Sequence, residues 1–319
     1  MERPSDSESR VYPIIMYPYR HEEGTKKNLV ALFEWLRNLA GREKMYADPI
    51  TVVNRQTYYR NAKHKSFIQT YEYLQDRSEI VDAWSVDTCQ MWMAGFGHAY
   101  DKGRDCSGNG RGHTSNVFWL IPGDFDYDSN SGEKVLSKYS KIPNIVYENQ
   151  ADICIGELQS DPDSSKQLID TYGTYGLMCN WFPDEATELR KMQIRKPRSE
   201  FFAINQRFLE IAMIENRWFA YEQTVVLLLQ AMRGGFKNRE ISQVELGDIE
   251  DPTGSRDTPA SALQQIERTE RVLKNYWREM NAKPNDRTWI GKFRDLSQQS
   301  AQIVGSAMIV LENSLERSK

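Results

Sequence analysis

Over the first 160 positions, short apolar runs alternate with amphipathic stretches. Val11 to Tyr17 is apolar and β-rich and stops at Pro18, the pattern of a buried strand. Leu29, Leu32, Phe33, Leu36 and Leu39 recur at helical spacing, opened near Gly24 and Thr25 and closed near Gly41, and predict a helix. Pro49–Val53 and Ile80–Val86 read as strands, and Lys65–Gln75 and Gln90–Tyr100 as helices. Val117 to Ile121, five apolar residues in a row, predicts a central strand covered on both faces. A helix over about Glu133–Lys138, strands at Ala151–Ile155 and Glu200–Ile204, and a helix over Tyr221–Met232 follow.

Beyond a polar loop, Gly247 to Asp257, the character changes to all helix. Leu263, Ile266, Leu273, Tyr276, Trp277 and Met280 form one apolar stripe; Ile303, Val304, Ala307, Met308 and Leu311 form another. The expected organisation is therefore a polar tail over 1–10, a doubly wound α/β domain over 11–250 and a helical C-terminal extension over 251–319. The stripes of the extension suit either packing within one chain or a homodimer through the C-terminal helices.

Charge and composition narrow the function. Lys plus Arg is 41 and Asp plus Glu 45, so 41 − 45 leaves a net charge of −4. That balance argues against a nucleic-acid partner bound by phosphate neutralisation. No apolar run approaches the roughly 18 residues of a membrane span, and the polar start carries no signal-peptide core. The four cysteines are scattered without a CxxC pair, which speaks for reduced thiols and a cytoplasmic protein. HExxH and GxSxG patterns are both absent.

Ligands of open α/β sheets bind beyond the carboxyl ends of the strands. After Val117–Ile121 the chain reads Pro122-Gly123-Asp124-Phe125-Asp126-Tyr127-Asp128. In an extended segment the side chains of Asp124, Asp126 and Asp128 share one face, and three nearby carboxylates call for a cation between them. Hard oxygen ligands suit Mg²⁺ or Mn²⁺. An EF-hand is excluded, because its sixth and twelfth positions would be Ser129 and Val135 instead of Gly and Glu. A solvated acidic turn is the plain alternative.

A DxD after a buried strand in the middle of an α/β domain resembles the GT-A fold glycosyltransferases. Further segments are similar to family-2-like members, closest in layout to mannosylglycerate-synthase-type enzymes. They are Pro18-Tyr19-Arg20 after the first strand, Gly95–His98 with the glycine-rich loop through Gly112, Ala151–Glu157, Pro197–Ile204 and Trp218–Thr224. The resemblance implies a nucleotide-sugar donor, GDP- or UDP-linked, whose diphosphate a divalent cation bridges to Asp126 and Asp124. It places Pro18, Tyr19, Arg20, Arg104 and Arg111 at the donor, with Lys102 as a further cation. Trp181, Arg198 and Glu200 would face the sugar or a small polar acceptor. Glu222 would be the catalytic residue, the base that deprotonates the acceptor hydroxyl if the enzyme inverts and a group that orients sugar or acceptor if it retains. Many such enzymes add a late histidine to the metal, and this sequence has none after His113. A nucleotidyltransferase, or a sugar-nucleotide-binding or scaffold protein without turnover, would use the same α/β layout.

Overall fold

The computed structural model describes residues 9–18, 24–83, 88–105, 116–158, 169–215, 223–233, 240–247, 259–283 and 285–317. The chain divides into two compact units. The first comprises Met1–Gln159, Glu200–Tyr221 and Asn238–Pro252; the second comprises Ser160–Ser199, Glu222–Lys237 and Thr253–Lys319. The C-terminal helices thus share a unit with two segments read from sequence as part of the α/β body.

The first unit is α/β, with a seven-stranded, mostly parallel mixed sheet. Its strands are β1 (Val11–Met16), β2 (Ile50–Asn54), β3 (Glu79–Ala83), β4 (Val117–Pro122), β5 (Ala151–Leu158), β6 (Phe202–Asn205) and β7 (Glu240–Gly247). They lie in the order β3-β2-β1-β4-β6-β5-β7, and only β6 runs antiparallel to its neighbours. β1 and β4 pair from Val11↔Val117 to Met16↔Pro122 and are buried along their whole length. Pro13 sits in this central strand without breaking it. Val11 N donates to Met45 O, so the nitrogen of residue 13 points the same way, where the ladder to β2 begins only at Ile14↔Ile50.

Helices cover both faces. One face carries α1 (Thr25–Arg42), α3 (Lys65–Gln75), α5 (Asn130–Tyr139) and α6 (Lys141–Tyr147), by way of Leu29, Phe33, Phe67, Tyr139 and Ile142 against Ile15, Trp119 and Ile121, while α2 (Arg55–Asn61) lays Tyr58 on Phe67 and Tyr71 of α3. The other carries α4 (Thr88–Asp105), whose Phe96 meets Phe118 edge-on at 6.4 Å and lies tilted against Phe202 at 5.9 Å. Gly95 belongs to this packing: a Cβ there would stand 2.6 Å from Ile14 Cγ2 and 2.8 Å from Val52 Cγ2. The Gly95–His98 stretch, one of the segments on which the family resemblance rests, is mid-helix, and its Gly95 serves helix–sheet contact.

The second unit is helical. A π-helical stretch, Ile169–Gly176, continues into α7 (Leu177–Trp181), followed by α8 (Pro183–Lys191). With α10 (Gln223–Arg233), α11 (Pro259–Asn281) and α12 (Thr288–Arg317) they enclose a core of their own; α9 (Gln206–Glu215) belongs to the first unit. Of the α11 stripe, Ile266, Leu273, Tyr276 and Trp277 are buried and Met280 is exposed. None of the described helices is long and apolar enough to cross a membrane.

Candidate functional site

β1 connects to β2 and β3 on one side, while β4 lies on the other, so the crevice between β1 and β4 is the topological switch point of the sheet. The carboxyl ends are locked together there. Gly123 N donates to Met16 O at 2.9 Å, and Tyr17 N to Val52 O at 2.9 Å. A Cβ on Gly123 would stand 2.4 Å from Met16 O, so only glycine permits this approach. Tyr17 is buried edge-on to Phe67, and Pro18 behind it is also buried.

From this point the chain runs as an alternating segment. Phe125 and Tyr127 are buried, whereas Asp124 and Asp126, which alternate with them, are half-buried and Asp128 is exposed. Phe125 packs on Phe201 at 4.9 Å, and the Tyr127 hydroxyl donates to Pro122 O at 2.6 Å and is hydrogen-bonded to the Tyr139 hydroxyl at 3.0 Å. Burial pushes both phenols well above their ordinary range. The far end of the loop is capped. Ser129 Oγ donates to Asp126 O at 2.8 Å and accepts from Gly132 N at 3.0 Å, which starts α5. Two inward aromatic rings and one cap thus hold two half-buried carboxylates at the sheet edge.

Asp128 has a different partner. Lys27 Nζ, in the first turn of α1, lies 2.5 Å from its Oδ2. The hydrogen bond and charge of Asp128, with a smaller contribution from Asp126, raise the Lys27 pKa above its ordinary value. Asp128 is thus engaged by Lys27, which leaves Asp124 and Asp126 as the two half-buried acids of the loop. Among the described residues no three His, Cys, Asp or Glu side chains gather as a metal centre.

Glu200 joins the same edge. β6 is antiparallel and pairs Phe202 with Leu120, which brings the start of β6 beside the end of β4. Both Asp124 and Glu200 act on the Tyr127 and Tyr139 phenols electrostatically, raising their pKa further.

Other expected residues lie elsewhere. Lys102 pairs with Glu79 at the amino end of β3, and Gly103 abuts Asn116, the residue before β4. Arg104, next along the last turn of α4, is therefore at the amino edge, about 17 Å of strand away from the acids. Trp181 is a core residue of the helical unit. It is 2% exposed, its Nε1 donates to Ser300 Oγ at 3.1 Å, and its ring touches Trp277 and Phe293. Arg198 is bound to Gln265 within that unit. Neither Trp181 nor Arg198 stands with Asp124 in the α/β unit. Tyr19, Arg20, Arg111 and Glu222 lie outside the described residues.

Sequence reasoning passed over Lys27. Its signal was present: Lys26 and Lys27 occupy the first turn of a helix that has no acid there and no side-chain cap, which opposes the helix dipole. Compared with known proteins, the chain matches no family model and no curated sequence.

Proposed function

We propose that the protein is a GT-A type glycosyltransferase that takes a nucleotide-diphospho-sugar donor at the carboxyl edge of the sheet. The observation that carries this reading is the position of Asp124 and Asp126: half-buried on a clamped loop directly after β4, at the switch point beside β1. The mixed sheet with one reversed strand and Glu200 brought to the same edge support it.

The residues suit a divalent cation of the hard class. Mg²⁺ and Mn²⁺ are commonly held by one or two carboxylates, with water and substrate phosphates completing the shell. Asp124 and Asp126 offer such a pair, on a loop that the Tyr127 hydroxyl and the Ser129 cap hold in place. A metal bound there would act as a Lewis acid on the diphosphate leaving group. The chain's own part is to fix the two carboxylates at the donor edge and present Glu200 toward the sugar or the small acceptor; Tyr17 and Pro18 are buried and shape the crevice from beneath.

The test is thermal stability with UDP, GDP, dTDP and ADP, each with and without Mn²⁺, for wild type and Asp126→Ala. A ligand at about 100 times its Kd stabilises by about 2.7 kcal/mol. One nucleotide is expected to stabilise the wild type more with metal than without, and Asp126→Ala is expected to remove that difference. No shift with any nucleotide under any condition would reject the reading. Binding of the nucleotide with no release of free nucleotide from its sugar conjugate, over an acceptor panel, would leave a binding protein instead of an enzyme.

A further inference from the structure

The Lys27–Asp128 pair has no evident value to the fold. It links two side chains that are 75% and 38% exposed, and such surface pairs contribute little to stability. Lys27 also sits where a cation is locally unfavourable, in the first turn of α1 beside Lys26. α1 follows directly on the β1 crevice, and the ammonium it places at the acidic loop reaches Asp128 directly and feels Asp126 as well. A local rule broken at the edge where ligands bind points to a role outside stability.

We infer that Lys27 is the built-in counter-cation of the carboxylate loop and binds the diphosphate of the donor, exchanging Asp128 for a phosphate oxygen when the nucleotide arrives. This rests on the donor-site reading above. Asp128 holds the ammonium at the loop in the free protein, and the long, rotatable lysine side chain lets it swing to a stronger anion. Two consequences follow. Nucleotide diphosphates bind without metal, though more weakly, and that metal-free binding depends on Lys27. Asp128 competes for Lys27 instead of contacting the ligand.

The experiment is titration calorimetry of UDP and GDP in EDTA and in Mn²⁺. The proteins are wild type, Lys27→Ala, Lys27→Arg, Asp128→Asn and, as a charge control in the helical unit, Lys191→Ala. Loss of one charge-assisted hydrogen bond is expected to weaken metal-free binding by about tenfold or more in Lys27→Ala. Lys27→Arg is expected to keep most of the affinity, Lys191→Ala all of it, and Asp128→Asn to bind as tightly as wild type or tighter. If neither nucleotide binds even with Mn²⁺, the donor-site reading itself fails. If one binds with Mn²⁺ but the wild type has no metal-free affinity, or Lys27→Ala retains it in full, the role of Lys27 alone is overturned. A fall in Asp128→Asn would likewise reject the competition. Lys27 is exposed, so unfolding does not confuse the result, and circular dichroism of each variant verifies this.

Discussion

Gly132 lies so close beneath the carbonyl of Asp126 that a Cβ on it would stand 2.3 Å from that oxygen and 2.6 Å from Tyr127 Cα. Both neighbours are backbone, which cannot swing aside as a side chain can. Alanine is ordinarily worth about 1 kcal/mol over glycine inside a helix. Here the loop must move, and overpacking of this kind costs about 1–3 kcal/mol. Gly132→Ala is expected to lower the melting temperature and to weaken metal-dependent nucleotide binding. Gly41→Ala, where nothing lies within 4 Å, is expected to be neutral or stabilising. Unchanged nucleotide affinity in Gly132→Ala would show that the loop's position does not matter to binding.

Tyr127 anchors the same loop from inside. Its hydroxyl meets Pro122 O and the Tyr139 hydroxyl in a fully enclosed site, so Tyr127→Phe leaves a buried acceptor and a buried phenol with fewer partners. The expected loss is about 1–3 kcal/mol in urea unfolding. Because burial holds both phenols far above their usual range, they stay neutral in the native state. The stability difference between the variant and wild type should therefore be flat from about pH 6 to 9. A difference that changes across this range would mean that one phenol ionises in the folded protein.

Apolar runs made β1, β4, α1 and α3 legible, because a segment buried on both faces or along one stripe has no other pattern available. β7 escaped notice. Ile241 falls out of step with Val244 and Leu246, and the pairing of β5 with β7 shifts register between Ala151 and Cys154, so the period of two is broken. α2 buries only Thr57 and offers no stripe to read. The expected α/β alternation itself held, as a seven-stranded mixed sheet with helices on both faces.

At the site, the acids were legible for the same reason as the strands: alternation places Asp124 and Asp126 on one face. The basic residues were not. Ending the fourth helix near Tyr100 would have left Lys102 and Arg104 in a glycine-rich loop free to reach the ligand. The helix runs on to Asp105 and carries both to the opposite edge of the sheet. Aromatic content is equally mute about place, since a tryptophan against a sugar and one in a core are the same letter.

Trp181 makes that distinction testable. Its indole fills the helical unit against Trp277 and Phe293 and satisfies its N–H on the buried Ser300. Truncation to Ala is expected to cost about 3–5 kcal/mol, and Ser300→Ala about 1–3 kcal/mol by orphaning the indole N–H. Neither role involves the donor, so Trp181→Phe, which keeps most of the volume, is expected to bind the nucleotide with wild-type affinity. A selective loss of binding by a stably folded Trp181→Phe would return this residue to the site.

Glu79 supplies a pH-dependent prediction at the amino edge. Its carboxylate takes Lys102 on one oxygen and His98 Nε2, at 2.6 Å, on the other. The hydrogen bond from Lys102, then that from His98, lowers its pKa against an opposing effect of burial. A lowered folded pKa means stabilisation that is present above the unfolded value, about 4.3, and is lost as pH falls through the folded one. All three side chains are more than a third exposed, and screening keeps the contribution to about 0–1 kcal/mol. Glu79→Gln is expected to lower the melting temperature slightly at pH 7 in low salt. The gap should close as pH drops from about 5 toward 3, and also in about 1 M salt, where the screening length is near 3 Å. If the gap widens on acidification instead, Glu79 has a raised pKa and the ion pairs do not govern it.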